Sequence, residues 1–105
     1  MPAAQELAIP IPHERIAEFC RKWGIRKLSF FGSVTRDDFD PERSDIDVLV
    51  EVDPSRKALF RSWDAEDDLS AILGRKADLT QPHLLGRWVK KYVYEDLVDE
   101  YVEEV

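Results

Sequence analysis

The stretch 31-FGSVTRDDFDPERSDIDVLVEV-52 decides how this chain is read. It opens on a Gly-Ser pair, crosses a polar segment and ends in a run of β-branched and other apolar residues. Two aspartates one residue apart, Asp45 and Asp47, stand at the mouth of that run. Charge on a buried strand is costly unless something compensates it. These carboxylates therefore either lie at a solvated strand end or hold a cation.

Working outward, 45-DIDVLVEV-52 has the composition of a strand. With period 2, Asp45, Asp47 and Leu49 share one face, and Ile46, Val48 and Val50 share the other. Upstream, 25-IRKLSFF-31 reads as a strand closed by Gly32. Before it, Ile16, Phe19, Cys20 and Trp23 fall at i, i+3, i+4 and i+7, which predicts an amphipathic helix over His13 to Trp23. Pro12 suits its start and Gly24 its left-handed end. Residues 33 to 43 can hold a short helix after Ser33 and then a loop.

Downstream, a helix is expected from about Lys57 to Leu73, with Leu59, Trp63, Leu69, Ile72 and Leu73 as its apolar side and Gly74 as its stop. The segment 76-KADLT-80 reads as a short third strand. From Leu84 onward, Val89, Val93, Leu97 and Tyr101 recur every four residues, which predicts one or two terminal helices. Residues 1–12, with three prolines, read as a loose lead-in, and 13–105 as a single domain. The element order predicts a small α/β layer.

Composition narrows the function. The chain has 105 residues, enough for one core, and a formal net charge of -7. That balance speaks against a domain built to grip nucleic acid, but it admits an anionic ligand if metal ions offset the local charge. Cys20 is the single cysteine, so no intramolecular disulfide and no cysteine-based zinc site are expected. The N-terminal stretch lacks a basic start followed by an apolar run, and no segment reaches the roughly 20 apolar residues of a membrane span. A cytoplasmic location is the expectation.

An Asp-x-Asp pair means little by itself in a chain with 12 aspartates. Asp38 and Asp40 form another, in a polar loop where solvated acids are ordinary. The 45/47 pair is more specific because both carboxylates leave one face at the start of a strand, where they can share a hard divalent cation. Mg²⁺ takes one or two carboxylates and fills its remaining positions with water and phosphate oxygens. Gly32 and Ser33 supply the complementary half: a glycine lets backbone approach a ligand, and the serine hydroxyl can donate to a phosphate. Asp78 completes a set of three if its strand lies beside the one holding Asp45 and Asp47. Three such acids repel one another without a cation. In a two-metal site, Asp78 would be placed to accept the proton of an incoming hydroxyl. Arg36, one turn beyond Ser33, is a candidate phosphate contact.

Taken together, FGS, a polar loop, SDIDVLV and a later GRKADL resemble the minimal nucleotidyltransferases of the DNA polymerase beta superfamily, over roughly Ile25 to Pro82. The resemblance implies a small mixed sheet flanked by helices and transfer of a nucleoside monophosphate from a nucleoside triphosphate. It implies that Gly32 and Ser33 hold the triphosphate, that Asp45 and Asp47 bind two Mg²⁺ and that Asp78 is the third carboxylate. It further implies an antitoxin paired with a HEPN-domain toxin, with AMP from ATP transferred to a hydroxyl of that partner. Eleven residues separate Ser33 from Asp45, one more than the family usually has; the surplus lies in the polar loop, where length is cheap.

Other readings are weaker. An EF-hand over residues 38–49 fails because Arg43 stands where the loop needs glycine and Leu49 where it needs glutamate. A module that neutralises its partner by contact alone, around a vestigial nucleotide site, is the main rival. His13 and His83 read as surface residues, Cys20 and Trp63 as core. Trp88, Tyr92, Tyr94 and Tyr101 give the last segment more aromatic surface than one short helix buries, which suggests an interface.

Overall fold

A computed structural model describes residues 7–36 and 39–103. In chain order the elements are α1 (His13–Trp23), β1 (Ile25–Phe31), a 3-10 turn (Gly32–Thr35), β2 (Ile46–Val52), a second 3-10 segment (Pro54–Leu59), α2 (Ser62–Leu73), β3 (Ala77–Thr80), a third 3-10 turn (Pro82–Leu84), α3 (Arg87–Glu95) and β4 (Val98–Val102). The four strands form one sheet in the order β3-β2-β1-β4. β1 runs antiparallel to both β2 and β4, while β2 and β3 are parallel. The sheet is mixed, as the family resemblance implies.

The period-2 reading of β2 holds. Ile46, Val48 and Val50 are fully buried, as are Leu28 and Phe30 of β1. They join Ile16, Phe19, Cys20 and Trp23 of α1 and Ala65 and Leu69 of α2 in one core cluster, so both helices cover the same face of the sheet. Each large apolar side chain buried there contributes about 1.5–3 kcal/mol. Burial pushes the Cys20 thiol up to about 12, which leaves it an inert core group. α1 ends at Gly24, whose φ of 71° lets its amide reach back to the carbonyl of Cys20.

Residues 7–11 are more engaged than a loose lead-in. Ile9 is buried, Leu7 and Ile11 pack against the core, and the Ala8 amide donates to the Val34 carbonyl at 2.9 Å.

Two expectations are corrected. The single helix expected over 57–73 is broken, because Phe60 and Arg61 are extended between the 3-10 segment and α2. The break resets the helical phase: α2 buries Ala65 and Leu69, and Trp63, expected in the core, is 87 % exposed. At the C-terminal end, the four-residue periodicity continues only as far as α3. Leu97 and Tyr101 lie beyond that helix, and Tyr101 stands on β4 with Leu28 of β1 as its Cα partner. Asp38, from the second acidic pair, lies outside the described residues.

Candidate active site

β1 ends at Phe31, whose Cα partner across the antiparallel pair is Asp47. The chain then turns at Gly32, where φ is 75°, a left-handed conformation that glycine adopts at no steric cost. A Cβ at this position would lie 2.5 Å from Oδ2 of Asp47. Only a glycine lets this backbone lie against that carboxylate. The turn is held by the Thr35 hydroxyl, which donates to the Gly32 carbonyl at 2.7 Å, and by the Arg36 amide, which donates to the Ser33 carbonyl at 2.9 Å. Val34 anchors it from the core side. Ser33 is half-buried, and among the described residues nothing engages its hydroxyl.

Asp47 and Asp78 are direct Cα partners in the parallel β2–β3 pair, so their backbones stand about 4.8 Å apart. Asp45 lies two residues before Asp47, on the same face by strand periodicity. Burial raises the Asp47 carboxyl above its ordinary value, and the charges of Asp78 and Asp45 raise it further, against a lowering by Arg36. Asp78 is raised by burial first and then by the charge of Asp45, with Lys76 acting against them. The three acids repel one another.

Lys76 partly answers that repulsion. Its ammonium lies 3.8 Å from Oδ2 of Asp45 and 4.0 Å from Oδ1 of Asp78. It is well exposed, so each contact is worth little, but its position marks where a cation gains from two carboxylates at once. The donor set suits Mg²⁺, which favours hard carboxylate oxygens and keeps open positions for water and phosphate. Among the described residues no three His, Cys, Asp or Glu side chains already close into a metal cage; an ion that uses one or two carboxylates does not require one.

Gly32, Asp45, Asp47 and Asp78 are thus brought together, with Ser33 on the turn against them. Arg36 ends that turn and forms an ion pair with Asp96, the residue that caps α3. It is half-exposed and still close enough to lower Asp47. Lys76 escaped the sequence reading although a signal exists: it stands two residues before Asp78, the spacing that puts both on one strand face. Asp96 carries no such signal, because its contact with Arg36 spans 60 residues. The surface readings of the histidines agree with the structure, where His13 pairs with Glu100 at 2.5 Å and His83 is exposed.

The profile of the nucleotidyltransferase domain matches residues 14–103, most of the chain. The chain belongs to the nucleotidyltransferase domain family. As a member of that family it is a nucleotidyltransferase. It is 34 % identical over 87 residues to a candidate protein adenylyltransferase of Methanocaldococcus jannaschii, covering 82 % of this chain and 85 % of that protein. It is 31 % identical over 81 residues to the protein adenylyltransferase MntA of Thermococcus cleftensis, covering 77 % and 80 % respectively. Among solved structures, a toxin-antitoxin complex with AMP-PNP shares the fold at a TM-score of 0.66 and 17 % identity, over 90 % of this chain and 76 % of that one. A chain of the complex between tri-AMPylated Shewanella oneidensis HEPN toxin and MNT antitoxin shares it at a TM-score of 0.57 and 18 % identity, over 86 % of this chain and 69 % of that one.

Proposed function

We propose that this nucleotidyltransferase moves AMP from ATP to a hydroxyl of a protein partner, and that the partner is a HEPN-type toxin for which this chain is the antitoxin. The observation that carries the reading is the pairing of Asp47 with Asp78 across β2 and β3, with the backbone of Gly32 against Asp47. The names of the relatives, protein adenylyltransferases, support the acceptor class. The solved toxin-antitoxin complexes support the partner.

In this reading the amides and hydroxyl of the Gly32–Ser33 turn bind the triphosphate, and Arg36 lies at the rim to contact it. Asp45 and Asp47, with Asp78 beside them, would hold Mg²⁺, two ions in this reading, which neutralise the charge of the phosphates when bound. Asp78 accepts the proton of the partner's hydroxyl as its oxygen attacks the α-phosphorus. The bond from that phosphorus to the β-phosphate bridging oxygen breaks and pyrophosphate leaves. Lys76, whose ammonium lies within 4.0 Å of both Asp45 and Asp78, would give up those contacts to a divalent ion held there and could then reach a phosphate.

The acceptor needs a surface to dock on. Trp88, Val89 and Tyr92 of α3 are all more than half exposed, and Arg87, Lys90 and Lys91 lie among them in a chain of net charge -7. The Arg36–Asp96 pair ties this helix to the glycine-serine turn. We assign α3 as the face on which the toxin sits; the matching surface of the toxin would be an apolar patch ringed by acidic groups. A cytoplasmic location fits such a pair. No helix among the described residues is long and apolar enough to cross a membrane.

Incubation of the purified chain with its toxin, Mg²⁺ and α-labelled ATP tests the reading. Label on the toxin, lost when Asp45 and Asp47 are both replaced by Asn, is the expected result. Neutralisation of the toxin by that double variant, with no label on the wild-type complex, would instead favour contact alone.

A further inference from the structure

β3 forms one edge of the sheet, so every second backbone amide on it faces away from β2. The Ile46 amide donates to the Lys76 carbonyl at 2.9 Å, which fixes the phase of the parallel ladder. Lys76 and Asp78 turn their peptide groups toward β2, and the amides of Ala77 and Leu79 point outward. Outward amides on a strand edge ordinarily go to water or to a stray strand. Here both are taken by side chains of α2. The Ala77 amide donates to Oγ of Ser70 at 3.0 Å, and the Leu79 amide donates to Oε2 of Glu66 at 2.9 Å.

The match is geometric. Glu66 and Ser70 are four residues apart on a helix, a rise of about 6 Å. Ala77 and Leu79 are two residues apart on a strand, a rise of about 6.6 Å. One turn of α2 therefore spans the two outward amides, and Asp78 is the residue between them. β3 pairs with β2 over only four residue positions, Ala77 to Thr80. So short a parallel pair has little of its own to prevent fraying or a slip in register, and a one-residue slip would turn Asp78 to the other face.

We propose that Glu66 and Ser70 are positioning residues: together they clamp the edge of β3, lock its register on β2 and so hold Asp78 opposite Asp47. The proposal rests on the reading of Asp78 as a reacting carboxylate. The side chains act on the backbone, so the clamp needs at residue 66 an acceptor oxygen of the right length, which a neutral amide also supplies. At residue 70 a hydroxyl suffices.

Adenylyl transfer by the full chain with its toxin, together with amide exchange of Ala77 and Leu79 by NMR, tests this. Glu66→Ala is expected to lower kcat about 10- to 100-fold, the scale of a small misplacement of a reacting group. The KM for ATP should stay within about twofold, because the phosphate-binding turn is elsewhere. Glu66→Gln keeps the acceptor and should recover kcat to within about threefold. Ser70→Ala should lower kcat more mildly, by about three- to tenfold, with Ser70→Thr as its rescue. The Leu79 amide should exchange at least about tenfold faster in Glu66→Ala and not in Glu66→Gln. Unchanged kcat and exchange in both alanine variants would overturn the clamp, and so would a glutamine variant as impaired as the alanine one. If the wild-type complex transfers nothing, the reading of the site fails with the proposed role in catalysis, while the exchange measurements still decide whether the two side chains hold β3.

Discussion

Gly32 and Asp47 stand so close that a Cβ on the glycine would lie 2.5 Å from the aspartate's Oδ2. The turn that would bind phosphates and the carboxylate that would bind metal are therefore not independent features of the chain. Gly32→Ala combines a left-handed backbone conformation, which costs an ordinary residue about 1–2 kcal/mol, with a direct displacement of Asp47. We predict a fall in the unfolding midpoint of about 4–15 °C. Transfer activity should drop further than stability, because the carboxylate moves even in the molecules that remain folded. An alanine variant with wild-type kcat would show that Asp47 need not sit where it does.

Asp47 and Asp78 make the stability of the metal-free chain depend on pH. Both carboxyls titrate above the ordinary 3.8 when folded. A group of this kind binds its proton more tightly in the folded state, so its contribution is complete below the unfolded value and is lost as pH rises through the folded value. The metal-free wild type should therefore lose stability from these two groups as pH rises from about 4 toward neutrality. Asp47→Asn and Asp78→Asn should each raise the neutral-pH unfolding midpoint by about 2–5 °C. Asp53 is lowered by the Ser55 amide and works in the opposite sense in acid, which is why the comparison is between variants. Mg²⁺ should stabilise the wild type and lose most of that effect in the variants. Equal midpoints for wild type and variants across pH 4 to 8 would contradict the mutual repulsion.

Much of the placement of the candidate site is legible in the sequence because strand periodicity is strict. Once Ile46, Val48 and Val50 were assigned to the core, Asp45 and Asp47 had to share the opposite face. The Gly-Ser turn lay next to them for a reason sequence could state only in part: the antiparallel β1–β2 pairing that sets Phe31 against Asp47 is a long-range choice. β4 was not legible. No glycine or proline separates it from α3, and the spacing of Val93, Leu97 and Tyr101 fits a helix equally well. What makes residues 98–102 a strand is the open edge of β1, with the Glu103 amide donating to the Arg26 carbonyl at 2.8 Å and the Ser29 hydroxyl donating to Asp99 at 2.7 Å. Local propensity carries no record of such a partner.

Trp63 and Leu69 give a test of the corrected helix phase. Leu69 is fully buried beneath the sheet and Trp63 is 87 % exposed. Leu69→Ala should cost about 2–5 kcal/mol, whereas Trp63→Ala should change stability by less than about 0.5 kcal/mol. Denaturant titrations of the two variants with a common m-value would check this directly. A large loss on removing the tryptophan would place it in the core, as the uninterrupted helix over 57–73 required.

Trp88 and Tyr92 lie one helical turn apart on α3, and both are largely exposed. Side chains of this size on a monomer's surface gain little from folding, so their removal should leave the unfolding midpoint within about 2 °C. At the centre of a protein interface the same residues commonly carry 2 kcal/mol or more each, about a 30-fold loss of affinity. The double variant Trp88→Ala, Tyr92→Ala should therefore weaken binding of the proposed toxin partner by at least about 100-fold in calorimetry. Reversing the charge of Lys90 and Lys91 should act mainly on the association rate and its salt dependence. Self-association through the same helix would set Arg87, Lys90 and Lys91 of one copy against those of the other, an arrangement that repels. The free chain is accordingly expected to sediment without an α3-mediated dimer. Full-strength binding by the double alanine variant would place the toxin on another face and leave the exposure of α3 unexplained.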